Sequence, residues 1–167
     1  MAGLINYMEF HDVIVREPHS QVTLDLLDNS HASEWTKNHL SDVLNMSRAS
    51  SLFFPDKSAV KRYDMEAPLR KAWGHKERDF RTASIEVYEV QGEYSENVLM
   101  VDDLCSRGGT FVHAAKILRK QGVKYISLLV THCEDNVFTG EIFDWIDHIY
   151  TSQGMLTKSH PRITELT

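Results

Sequence analysis

Two adjacent carboxylates, Asp102 and Asp103, stand just before a glycine-bearing stretch, Ser106-Arg107-Gly108-Gly109-Thr110. Glycines let main-chain N–H groups close around an anion without an obstructing Cβ, and a helix N-terminus leaves such groups without internal partners. A phosphate is the expected guest. Two acids would repel that phosphate, so they suit the neutral hydroxyls of a sugar, or a divalent cation that offsets their charge. Together these residues point to a sugar phosphate.

The flanking chain supplies the elements that must hold them. Val98-Leu99-Met100-Val101 is a short apolar run, as in a strand buried on both faces. After the glycines, Phe111, Ala114, Ala115 and Leu118 recur at helical spacing, with Arg119 and Lys120 in the last turn and Gly122 just past it. Further strands are expected at 12–15, 51–54, 85–90 and 124–130, the one at 85–90 lying at an edge. The pattern of Trp35, Leu40, Val43 and Leu44 predicts a covering helix from Ser33 to Met46, and short last strands are expected near His148–Tyr150 and Ile163. Strands alternating with helices at this spacing predict one α/β domain over residues 1–167 with a largely parallel central sheet flanked by helices. Within it, residues 13–46 form a first strand and covering helix, and residues 51–167 form a core with the phosphate loop at 101–110.

Three other stretches could do chemistry. The strand at 51–54 runs into Pro55-Asp56-Lys57-Ser58-Ala59-Val60-Lys61-Arg62, expected as a turn in which Asp56 holds a metal and Lys57 a pyrophosphate oxygen. The run RKAWGHKERDFR at 70–81 is dense in positive charge. It is expected as a mobile arm able to close over a polyphosphate and neutralise developing charge. His19 follows the first strand in a Pro-His-Ser turn. The two cysteines, Cys105 and Cys133, follow no metal spacing and imply no disulfide framework, and Cys105 is expected to be open to thiol reagents.

A net charge of −6 gives no reason to expect bulk binding of nucleic acid or of an acidic membrane face. No apolar run approaches the roughly 18 residues of a membrane span, and the N-terminus lacks a signal-peptide pattern. A cytosolic protein is expected.

The stretch 101–110 resembles the fingerprint of the type I phosphoribosyltransferase fold, which holds the ribose 5-phosphate part of phosphoribosyl pyrophosphate (PRPP). Arg107 stands where that family usually has a small hydroxyl residue. Three further segments resemble ribose-phosphate pyrophosphokinases in the same order. FPDKSAVKR is similar to their metal- and pyrophosphate-binding Pro-Asp segment, with Ser58-Ala59 replacing two glycines, and HKER matches the start of their catalytic flexible loop. PHSQVTLDLL resembles the place where they carry a histidine near the magnesium nucleotide.

The resemblance implies Lys76 and Arg78 as catalytic cations. It implies Asp102, Asp103, Ser106, Arg107, Gly108, Gly109 and Thr110 as the ribose 5-phosphate or PRPP site, Lys57 and Ser58 on pyrophosphate, and Asp56 and His19 on Mg2+. It also implies a homo-oligomer that handles ribose 5-phosphate or PRPP, with ATP as the pyrophosphoryl donor. The match covers the end of the amino-terminal half and the whole carboxy-terminal half of such an enzyme. Two alternatives therefore stand beside pyrophosphoryl transfer: a compact phosphoribosyltransferase acting on a nucleobase, and a PRPP-binding regulator without turnover.

Overall fold

The computed structural model describes residues 1–65, 68–78 and 85–167. The elements run α1 (Ala2–Tyr7), β1 (Val13–Arg16), α2 (Gln21–Asp25), β2 (Ser30–Ser33), α3 (Trp35–Ser47), β3 (Ser51–Phe54), α4 (Lys57–Tyr63), β4 (Arg70–Arg78) and β5 (Ile85–Gly92). There follow β6 (Asn97–Cys105), α5 (Gly109–Lys120), β7 (Tyr125–Cys133), a 3-10 turn (Asp135–Thr139), α6 (Ile142–Trp145), β8 (His148–Ser152) and β9 (Ile163–Leu166). The main sheet has the order β5-β4-β3-β6-β7-β8-β9, and β1 pairs with β2 in a separate two-stranded sheet. All neighbours pair in parallel except β4 with β5. The α/β class with a largely parallel sheet is thus as the apolar runs predicted.

Helices cover both faces of the sheet, which is why the central strands lack polar alternation. Leu52, Phe54, Leu99, Val101 and Leu129 pack with Trp35, Leu40 and Val43 of α3 and Tyr63 of α4. Phe53, Val98, Met100, Leu128 and Val130 pack on the other face with Phe111, Ala114, Ala115 and Leu118 of α5. β3 leads through α4 to β4 on one side, and β6 leads through α5 to β7 on the other. The strand order therefore reverses between β3 and β6, and the crevice at their carboxyl ends is where such sheets bind ligands.

Three local expectations change. Residues 57–62, expected as part of a turn, instead begin helix α4, because Asp56 caps it and Ala59 and Tyr63 bury one face. The basic stretch from Arg70 to Arg78, expected as a mobile arm, is strand β4, paired with β3 over residues 70–73 and with β5 over residues 72–78. The remainder of that stretch, residues 79–81, lies outside the described residues. Finally, β6 does not stop before the acids but continues in register with β7 to Cys105 opposite Cys133.

Candidate functional site

Two βα loops meet at the crevice, one after β6 and one after β3. The first begins with Asp102 and runs through Ser106 to Gly109. Gly108 is the N-cap of α5 with φ +76°. A Cβ there would lie 2.5 Å from Ile142 Cδ1, so both the backbone conformation and the approach of α6 require glycine. No side chain of this cap closes the N-terminus of α5. Asp102, Leu104, Ser106, Arg107, Gly108, Gly109, Thr110 and Phe111 line an open cavity of about 260 Å3 over this end of the helix.

The segment after β7 supports the loop from behind. Glu134 N donates to Cys105 O at 2.9 Å, and Asn136 Nδ2 donates to Ser106 Oγ at 3.2 Å. A Cβ on Gly140 would come within 2.9 Å of Arg107 O, which shows how closely the two stretches approach. Asn136 carries no motif signal, and only the fold reveals its role. Arg107 is exposed at the cavity rim.

Because β6 continues through both acids, their side chains leave opposite faces of the sheet. Asp102 faces the loop cavity. Burial, and then the charges of Asp103 and Asp56, push its carboxyl up to about 7. Asp103 turns to the α4 face, where Arg62 Nη1 donates to its Oδ2 and His19 Nδ1 lies 3.0 Å from the same oxygen. Burial acts to raise Asp103, but the hydrogen bonds from His19 and Arg62 outweigh it, and its carboxyl lies below the usual aspartate value. The pair that the sequence presents as one grip is divided into a cavity-facing acid and a tethered acid.

The second loop, after β3, is built differently. Asp56 Oδ1 accepts hydrogen bonds from Ser58 N at 2.9 Å and Ala59 N at 3.0 Å. The first amides of α4 are therefore turned to the protein's own carboxylate. Lys57 and Ser58 are exposed beside them. His19 is brought to Asp103 rather than to Asp56, and among the described residues no three His, Cys, Asp or Glu side chains group as a metal site. Lys76 and Arg78 occupy backbone positions in β4, and their side chains fall outside what the structure describes.

Arg62 joins Asp103 to His19, its Nη2 lying 3.3 Å from His19 Nδ1. It belongs to the FPDKSAVKR segment, yet its reach to Asp103 depends on the α4 helix that sequence reading replaced with a turn. Cys105, expected to be open to reagents, is fully buried opposite Cys133. The adjacent Cys133 sulfur, and then burial, push its thiol far up.

An open cavity over a glycine-capped helix, beside an acid at the strand-order reversal, fits the type I phosphoribosyltransferase fold that the loop resembles. Comparison with known proteins narrows this. The chain is 32% identical over 134 residues to the ribose-phosphate pyrophosphokinase of Pyrococcus abyssi, covering 74% of this chain and 45% of that protein. It is 41% identical over 81 residues to the ribose-phosphate pyrophosphokinase of Thermococcus kodakarensis, covering 47% of this chain and 29% of that protein. In structure it matches phosphoribosylpyrophosphate synthetase from Mycobacterium smegmatis with a TM-score of 0.78 at 17% identity, over 99% of this chain and 57% of that one. No family model matches the chain. The protein is a relative of the ribose-phosphate pyrophosphokinases that spans about half the length of those it matches or less.

Proposed function

We propose that this chain handles ribose 5-phosphate as the pyrophosphokinases do, accepting a pyrophosphoryl group from ATP to form PRPP. The observation that carries this reading is the cavity over the Gly108-capped end of α5 with Asp102 at its side. The amides of residues 109–111 would bind the 5-phosphate, aided by Ser106 and Thr110, with Arg107 adding a guanidinium at the rim. Asp102, when ionised, would accept hydrogen bonds from the ribose hydroxyls. Lys76 and Arg78 on β4 would neutralise charge as the anomeric oxygen attacks the β-phosphorus of ATP and AMP leaves.

The donors near the crevice are hard carboxylate oxygens, which suit Mg2+ held jointly by one or two acids and substrate phosphates rather than by a protein cage. Asp56 and Asp102 are the acids that would share it, and when bound it would offset phosphate charge. The test is to incubate the protein with Mg2+, ATP and ribose 5-phosphate and to measure AMP and PRPP. Formation of both supports the reading, and their absence despite ribose 5-phosphate binding sinks it.

One observation favours a second reading. With the first amides of α4 taken by Asp56, the pyrophosphate side of the crevice is less open than the sugar-phosphate side. A PRPP-binding protein without turnover would show PRPP affinity and form neither AMP from ATP nor pyrophosphate from PRPP with any nucleobase.

A further inference from the structure

Glu17 is a buried acid, 7% exposed, that the site described above does not use. It has φ +52°, a left-handed conformation that costs a non-glycine residue roughly 1 kcal/mol or more. Its Oε2 accepts from Thr36 N at 2.8 Å and from Thr131 Oγ1 at 2.9 Å, and the two threonine hydroxyls lie 2.6 Å apart. Thr36 lies in the first turn of α3, whose own N-cap side chain makes no capping bond, so Glu17 supplies the cap from another element. Thr131 lies near the carboxyl end of β7. Beside it, His132 Nε2 is 3.3 Å from Arg16 O.

A strained, buried carboxylate is stable only where surrounding groups determine it, and here they determine the path of the chain just before His19. His19 itself is 81% exposed, yet its Nδ1 meets Asp103 and Arg62. One residue, Pro18, separates the buried anchor from the exposed imidazole and restricts the path between them. We propose that Glu17 is a positioning residue that, through the α3 N-terminus and Thr131, holds His19 against Asp103 and Arg62 at the rim of the crevice. The consequence for turnover rests on the pyrophosphokinase reading, whereas the placement of the imidazole does not.

The test follows the His19 imidazole by nitrogen-edited NMR in the intact chain, with His19→Ala assigning its signals, and compares the wild type with Glu17→Ala and Glu17→Gln. In the wild type, Nδ1 should show the shift of a hydrogen-bonded ring nitrogen. In Glu17→Ala that signature should be lost, and Glu17→Gln, which keeps an acceptor, should restore it in part. If the wild type forms PRPP, Glu17→Ala should also raise KM for ATP with little change in kcat. Should Glu17→Ala fail to fold, Thr131→Val removes one of the two donors and gives the same comparison. An unchanged His19 signature in a folded Glu17→Ala or Thr131→Val protein, with only the Thr36 amide shifted, would overturn the proposal. Absence of turnover in the wild type would count against the pyrophosphokinase reading alone.

Discussion

The loops after β6 and β3 occupy equivalent places, each leading from a central strand into a helix at the strand-order reversal, yet they treat their helix N-termini in opposite ways. After β6, Gly108 turns the chain through a left-handed conformation and caps α5 with no side chain, beside an open cavity. After β3, Asp56 folds back onto the amides of Ser58 and Ala59. One helix end faces a cavity and the other is closed by its own sequence. The same topology thus yields an open helix end beside a cavity or a self-capped one, according to whether glycine or aspartate stands at the cap.

Exchanging features between the loops should expose this difference, and the largest effect is expected at Gly108. Gly108→Val places a Cβ against Ile142 in an unfavourable backbone conformation. It should cost about 2–3 kcal/mol of stability in thermal unfolding and abolish ribose 5-phosphate binding in calorimetry. Gly109→Ala is the control for stability alone, since no protein atom lies within 4 Å of its added Cβ.

The next effect is expected from Asp102. Its carboxyl, pushed up to about 7, lies above the roughly 3.9 of an unfolded aspartate, so the native state holds its proton more tightly. Its contribution to stability is complete below about pH 4 and is lost as the pH rises through 7. Asp102→Asn should flatten stability between those limits and make the protein more stable at pH 8, on the order of a few kcal/mol. Unfolding curves across that range check the sign. A variant with the wild-type pH dependence would remove Asp102 as its source.

Two smaller effects complete the comparison. Asp56→Ala removes the α4 cap and should cost about 1 kcal/mol in denaturant unfolding while leaving the cavity after β6 in place. Asn136→Ala loses the hydrogen bond to Ser106 and should cost less than about 1 kcal/mol, with a modest weakening of phosphate binding in calorimetry.

The strand, glycines and helix around residues 98–122 were legible because buried parallel strands and amphipathic helices leave strong apolar patterns, and α5 and β6 stand where those patterns lie. The division of labour between Asp102 and Asp103 was not. It depends on β6 continuing through both acids, which is set by pairing with Val130 and His132 in β7 rather than by any local residue. Helix α4 was obscured because Pro-Asp-Lys-Ser reads as a turn, and its helical continuation depends on burial of Ala59 and Tyr63. Strand β4 was obscured by its charge, since its place in the sheet comes from ladders to β3 and β5. Glu17 and Arg62 escaped notice for a related reason, as their partners lie more than 15 residues away in sequence.

Calorimetric titration of ribose 5-phosphate into the wild type and Asp102→Asn at pH 8 tests the sugar-phosphate cradle most directly. Binding by the wild type, weakened at least about tenfold in the variant as expected for loss of a charged acceptor, is the predicted result. No binding to the wild type, or equal affinity in both proteins, would contradict it.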